Sequence, residues 1–195
     1  MPTLHADNAP FEEWVDAAHA RRSRRSYDGT EIDSERLEAI ESLCKLFRPS
    51  PVARAVLLAK APPDIFTGIV GSYGRVTGAP SAVAIVGTTG APGVEMSVGY
   101  TGEAIILEAT RLGLGTCWIG GAYKPTRIAE LLGLGGGEHV FAVTPLGTPS
   151  EVLTGYEMVV KTVKTVSGTP RKPAEEIAPG VGGWPPWARA AVEIA

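Results

Sequence analysis

The densest chemistry in the chain lies at Arg21-Arg22-Ser23-Arg24-Arg25-Ser26-Tyr27. A phosphate needs positive charge and donors that converge. Arg21 and Arg25 stand at i and i+4, so a turn of helix or a tight bend would bring them together, with the Ser23 hydroxyl between them. Arginine binds a phosphate through two parallel hydrogen bonds, which lysine cannot match. The competing reading is a helix end decorated with cations that favour its dipole. Two glycine-rich runs offer less. Gly113-Leu114-Gly115 has no glycine three positions on, which excludes the dinucleotide fingerprint, and Gly87-Thr88-Thr89-Gly90 lacks the Gly-Lys-Ser/Thr of a phosphate loop. Gly113 and Gly115 also suit an ordinary helix cap and turn. Arg171-Lys172 is a further basic pair, equally readable as a solvated turn.

Other chemistries find little support. His5, His19 and His139 carry no ligand spacing, and Cys44 and Cys117 form no C-x-x-C pair, so neither a metal site nor a disulfide framework is expected. No side-chain constellation marks a protein general acid, base or nucleophile. The net charge of -3 argues against a nucleic-acid binder. No apolar run reaches the ~20 residues of a membrane span, and the first residues lack the layout of a signal peptide. A cytoplasmic protein without membrane or nucleic-acid partners is expected. At 195 residues, 44% hydrophobic and 20% charged, the chain can bury one good-sized core.

The elements that must position these residues follow from periodicity. A first helix starts near Asn8 or Ala9, capped by Asp7 or Asn8, with Pro10 in its first turn and Arg21 and Arg22 at or past its end. Leu37, Ile40, Leu43, Cys44 and Phe47 form the stripe of a second helix that starts after Asp33 or Ser34 and stops before Pro49 and Pro51. Residues 53–60 and 81–87 read as strands, the latter apolar on both faces and so central. Residues 65–70 are short helical or irregular. Residues 94–112 form a helix apolar almost all round, hence buried in a core or against a partner. Residues 117–119 are extended, 125–132 helical, and 139–146 a strand whose Pro145 marks an edge or strand end. Residues 158–166 read as a further strand, and 167–187 as an arm. The chain is expected to be one domain, with residues 150–195 its extended C-terminal arm. This order fits an α+β or α/β sandwich.

Four stretches resemble the nitroreductase family of flavoproteins, specifically a compact branch whose buried helix opens like Gly99-Tyr100-Thr101-Gly102-Glu103. The likeness covers roughly residues 10 to 177. The Arg-x-Ser-x-Arg-x-aromatic pattern at residues 21–27 resembles the family's opening signature. Residues 108–121 resemble its buried helix and glycine turn. Residues 140–149 resemble the last core strand and Gly-x-Pro turn, and residues 169–177 a basic-Pro-x-Glu-Glu segment. The resemblance implies an α/β/α sandwich around a mainly antiparallel sheet. It implies that Arg21, Ser23 and Arg25, with Arg22 alongside, hold the phosphate of FMN, and that Arg171, with Lys172 next in line, closes that site. It implies that the backbone at Ile119, Gly120 and Gly121 faces the flavin ring, where an N–H aimed at N5 stabilises developing charge. It further implies NAD(P)H as electron donor, a nitro compound, quinone or similar small molecule as acceptor, and a homodimer. A branch in which one chain mimics both halves is the alternative to that dimer.

One departure stands out. Relatives line the flavin with an Ala-Pro-Ser-x-x-Asn-x-Gln-Pro-Trp type segment. Here Phe47-Arg48-Pro49-Ser50-Pro51-Val52 stands instead, only Pro49-Ser50 echoes it, and the chain contains no glutamine. The terminal segment from Trp184 to Ala195 starts like a helix that would lead into such a lining. It reads either as a truncated chain or as a short helix that docks on a neighbour. Two other functions therefore stay open: a flavin-binding protein without turnover, and an interaction module that uses the basic patch.

Overall fold

A computed structural model of the chain describes residues 10–66, 76–151, 158 and 172–194. The chain divides into two compact units, Met1–Tyr156 and Glu157–Ala195.

The first unit opens with α1 (Phe11–Ala20). Pro10 is its N-cap rather than a first-turn residue, because its carbonyl already accepts the Trp14 N–H at 3.0 Å. Asp7 and Asn8 lie outside the described residues. Helix α2 (Ser34–Leu46) starts where the sequence places it. The Asp33 carboxylate accepts the Arg36 N–H at 3.0 Å, which satisfies one of the free donors of the first turn. The helix buries Ile40, Leu43 and Cys44, and Phe47 follows as a fully buried cap residue.

Three strands form an antiparallel sheet in the order β1-β2-β3: β1 (Ala53–Leu58), β2 (Ser81–Thr88) and β3 (Glu138–Leu146). Ala53 pairs with Gly87 and Leu58 with Ala82. On the other side Ser81 pairs with Leu146 and Thr88 with Glu138, with a bulge between Ile85 and Val86. Strand β2 is the middle strand, and seven of its eight residues are buried, as a strand apolar on both faces requires. Pro145 sits opposite Ala82 in β3, which pairs only with β2 among the described strands. Val143, two residues earlier, directs its N–H and carbonyl to Ile119, so by the same parity the nitrogen of Pro145 faces away from β2 and its missing donor costs no bond to that strand. Strand β1 ends at Leu58, two residues short of the expected bound, and residues 63–65 form a 3-10 turn.

Two hydrophobic clusters show the layers. On one side Ala53, Ala55, Val83 and Ile85 pack with Trp14, Ile40, Phe47 and the buried face of α3 (Val94–Arg111). On the other, Ala82, Ala84 and Val86 pack with Cys117, Ile119, Tyr123 and Ile128 of α4 (Pro125–Leu132). Helices on both faces of an antiparallel sheet make the α/β/α sandwich. Helix α3 is buried as its composition demands, with Ile105, Ile106 and Ala109 at 0–1% exposure.

The second unit contains α5 (Ala174–Ile177), a 3-10 turn at Val181–Gly183 and α6 (Pro186–Ile194). Its turn is fastened by Glu175, whose carboxylate accepts the backbone N–H groups of Gly180 and Gly182 at 2.8 and 2.9 Å. The expected strand at residues 158–166 lies, Met158 apart, outside the described residues. Among the described residues no helix is long and apolar enough to cross a membrane.

Candidate functional site

The basic segment is neither a turn of helix nor a tight bend. Helix α1 stops at Ala20, Arg21 turns extended (φ -52, ψ 134), and Ser23, Ser26 and Tyr27 form isolated bridges to other parts of the fold. Backbone bonds fasten the segment at successive points. Arg24 N–H donates to the Thr116 carbonyl at 2.7 Å and Tyr27 N–H to Thr77 at 3.0 Å. Asp28 N–H donates to Thr148 at 3.1 Å, and Ser150 N–H returns a bond to Ser26 at 3.0 Å. Residues 21–28 are thus a strap laid across the glycine turn and the end of β3. In extended backbone, residues i, i+2 and i+4 share a side. Arg21, Ser23 and Arg25 are so related.

The strap lies close because two glycines let it. A Cβ at Gly115 would meet Pro149 Cγ and Tyr27 Cε1 at 3.0 Å, and one at Gly147 would meet Pro80 Cδ at 2.7 Å. Gly115 N–H donates to the Gly147 carbonyl at 2.8 Å. Tyr27 is buried, and its hydroxyl donates to the Arg24 carbonyl at 2.7 Å. These contacts fix the path of the strap before any ligand arrives.

The four arginines, alike in sequence, have different tasks. The Arg22 guanidinium turns back to donate to the His19 and Arg21 carbonyls at 2.8 and 2.7 Å. It serves the open end of α1, the role the dipole reading assigned to the whole cluster. Arg24 is half-buried and donates to the Ser150 carbonyl at 2.6 Å, which locks the strap. Arg21 is partly exposed, with its Nε 3.8 Å from Glu103 Oε1. Arg25 is half-buried and Ser23 exposed.

The glycine turn joins the strap through the Ser23–Thr116 bridge. Trp118 packs on Gly102 of α3 so tightly that a side chain there would enter its ring. Its indole N–H donates to Glu103 Oε2 at 2.7 Å. Ile119 N–H donates to the Val143 carbonyl at 3.0 Å, so that donor is already committed to β3. The N–H groups of Gly120 and Gly121, like that of Trp118, have no acceptor among the described residues. Both glycines are exposed, with open space where a side chain would stand. A pair of guanidinium groups and a hydroxyl on one strap, beside a turn with two bare N–H groups, fits a ligand with an anionic tail and a flat polar-edged body.

The strap that carries Arg21, Arg22, Ser23 and Arg25 is bridged through Ser23 to Thr116, near the Gly147 end of β3, and Ile119 is bridged to Val143 further into that strand, with Gly120 and Gly121 following it. Arg171 lies outside the described residues. Lys172 is exposed and pairs with Glu176 at 2.7 Å. The Pro49-Ser50 echo lies elsewhere. Val52 accepts the Thr88 N–H at 2.9 Å, at the opposite end of β2 from Ser81. That end is about 20 Å from the strap at ~3.3 Å per residue. There Arg48, Ser50, Arg54 and Glu138 line a separate cleft of about 460 Å³, and Arg54 makes a two-pronged pair with Glu138 at 2.8 and 3.1 Å. Sequence reasoning missed Arg24, Glu103 and Trp118.

The chain is an antiparallel α/β/α sandwich with a basic strap laid over a glycine turn. The family described as "Putative TM nitroreductase" matches residues 13–195, and the chain belongs to it. Solved structures agree on the fold. A nitroreductase family protein from Clostridium difficile 630 superposes with a TM-score of 0.60 at 20% identity, covering 85% of this chain and 96% of that one. An FMN-dependent nitroreductase from Clostridium difficile R20291 gives 0.56 at 22% identity, covering 71% and 88%. A nitroreductase with bound FMN from Bacteroides fragilis NCTC 9343 gives 0.57 at 21% identity, covering 73% and 91%. No curated protein matches the chain.

Proposed function

We propose that the chain is an FMN-dependent oxidoreductase that takes electrons from NAD(P)H and passes them to a nitro compound, quinone or similar small acceptor. The observation that carries this reading is the strap. Arg21, Ser23 and Arg25 are presented on a backbone already fastened at Thr77, Thr116 and Thr148, beside the exposed N–H groups of Gly120 and Gly121. Family membership and the FMN named in two structural relatives support it. When bound, the flavin supplies the two-electron chemistry, and the protein supplies binding, orientation and electrostatics. Arg21 and Arg25 hold the phosphate, and Ser23 donates its hydroxyl. Gly120 and Gly121 offer donors to the ring edge without a side chain in the way. We place Ile119 against the ring by its position in the turn, with its N–H held by β3. Arg22 supports the strap from the helix end. Arg171 is assigned to the phosphate site by sequence resemblance.

The chain acts in this reading as one domain, with residues 150–195 as its arm, and as a homodimer. The length of β2 that separates the strap from the Pro49-Ser50 segment, about 20 Å from its rise per residue, supports the dimer, because a flavin lined by both is more readily shared between two copies. The absence of the Gln-Pro-Trp segment favours a second reading, flavin binding without turnover.

The visible spectrum separates them. Protein purified with added FMN is expected to be yellow, with the absorbance of oxidised flavin, and to bleach anaerobically with NADH or NADPH. A yellow protein that neither nucleotide bleaches would establish the second reading. Protein that stays colourless in excess FMN would refute both.

A further inference from the structure

We infer that Glu103 is a positioning residue that couples the phosphate-holding strap to the ring-facing turn. The inference rests on the FMN reading above and assigns a residue that reading does not use.

Glu103 lies on α3, and its two carboxylate oxygens face different partners. Oε2 accepts the Trp118 indole N–H at 2.7 Å, and Oε1 lies 3.8 Å from Arg21 Nε. Trp118 cannot easily yield its place, since its ring rests on Gly102 with no room for a side chain between them. It is also the residue directly before Ile119-Gly120-Gly121. Arg21 is the first residue of the strap, directly after α1. One carboxylate thus stands between the first strap arginine and the base of the turn, held by an indole donor and facing a guanidinium at the edge of contact.

The pair with Arg21 is loose. Both side chains are about one-third exposed or more, at 32% and 41%, and 3.8 Å is beyond a hydrogen bond. The Trp118 bond is short. A loose partner on one side and a firm one on the other is the geometry of a group that can release Arg21 but keep Trp118. A phosphate beside Arg21 offers two strong acceptors and competes with Glu103 for the same guanidinium. Glu103 therefore holds Arg21 in place while no phosphate is present and opposes the phosphate by like charge when one arrives. That change in charge balance is transmitted to Trp118 through the shared carboxylate.

The substitution Glu103→Gln isolates the charge. The amide oxygen can still accept the indole N–H, and the attraction to Arg21 is lost. FMN is expected to bind about two- to fivefold more tightly, the size of an exposed ion pair. Riboflavin, which has no phosphate, is expected to bind with unchanged affinity. In wild-type protein labelled with 15N, the Trp118 indole resonance, assigned through Trp118→Phe, is expected to move as inorganic phosphate is titrated. In Glu103→Gln it is expected to stay still while phosphate binds. A merely structural Glu103 would shift FMN and riboflavin affinities together, which would overturn the inference. So would a Trp118 resonance that ignores phosphate in the wild type, or one that follows it equally in the variant. If FMN fails to bind the wild type, the FMN reading falls and this inference with it. If FMN binds and only the Trp118 response or the FMN-to-riboflavin ratio fails, the coupling alone is refuted.

Discussion

At the scale of single residues, the site separates arginines that composition cannot. Arg22 makes two bonds to the carbonyls at the end of α1, and Arg24 one to Ser150. Their donors are directed inward to the fold. Arg21 keeps only a loose carboxylate partner among the ion pairs described. Arg21→Ala is therefore expected to weaken FMN binding by about 1.5–3 kcal/mol, the value of a hydrogen bond to a charged group. Arg22→Ala is expected to lower the melting temperature with little change in FMN affinity. Equilibrium titration with FMN, alongside thermal melts, checks both. Equal losses of affinity in the two variants would contradict the division of roles. The motif itself was legible because its residue types state their chemistry. The division of roles was not, because which arginine turns back to a helix end depends on where α1 stops and where Ser150 returns. Glu103 and Trp118 were hidden for the same reason. They stand fifteen positions apart, and nothing in their spacing announces that an indole will meet a carboxylate.

Among elements, α1 and α3 meet around a buried acid. Glu108 is 8% exposed, accepts the Trp14 indole N–H at 3.0 Å, and receives Arg111 through two bonds of 2.7 and 2.9 Å. Burial alone would raise its pKa. The bonds from Arg111 and Trp14 outweigh burial and hold the carboxyl below its ordinary value. A carboxyl depressed in the folded state contributes stability above its unfolded pKa of about 4.5 and loses it as pH falls through the folded value. Unfolding by denaturant between about pH 7 and pH 3 should therefore show part of its acid loss at this residue. Glu108→Gln is expected to be less stable by up to about 1 kcal/mol near neutrality, since it removes the charge that Arg111, itself 40% exposed, pairs with, and to show a shallower acid decline. A variant with the wild-type slope would place that loss at other carboxylates. Helices and strands were the most legible part of the chain. Asp33 announced α2, the apolar run at residues 81–87 announced the central strand, and the buried helix stood at residues 94–111. The strap is neither the turn of helix nor the tight bend that the spacing of Arg21 and Arg25 suggests, because nothing local sets its path. Its path is set by Thr77, Thr116 and Thr148, which lie far away in sequence.

For the whole molecule, the sandwich leaves its two thiols deep on opposite faces of the sheet. Cys44 packs with Ile40, Phe47 and Ile85, and Cys117 with Ile119, Val86 and Val143. They are 3% and 1% exposed. Burial pushes the Cys44 thiol up from about 9.0 to about 12, against a smaller opposing pull from Arg48. A thiol reagent needs the thiolate and a path to it, and the native state offers Cys44 neither. Labelling of Cys44 should therefore proceed only through opening of the fold, with a rate that rises steeply with denaturant. Because the thiol's pKa is raised on folding, its contribution to stability is complete below the unfolded value near 9 and is lost as pH rises towards 12. Cys44→Ala is expected to be less stable than wild type at pH 7, because it leaves a small void among Ile40, Leu43 and Phe47. That deficit should narrow between pH 9 and 12, where only the wild type carries an acid whose ionisation favours the unfolded chain. Parallel denaturant curves at pH 7, 9 and 10.5 would show the convergence. A constant gap, or rapid modification of Cys44 in native buffer, would mean that the helical layer opens around α2 far more readily than its packing allows.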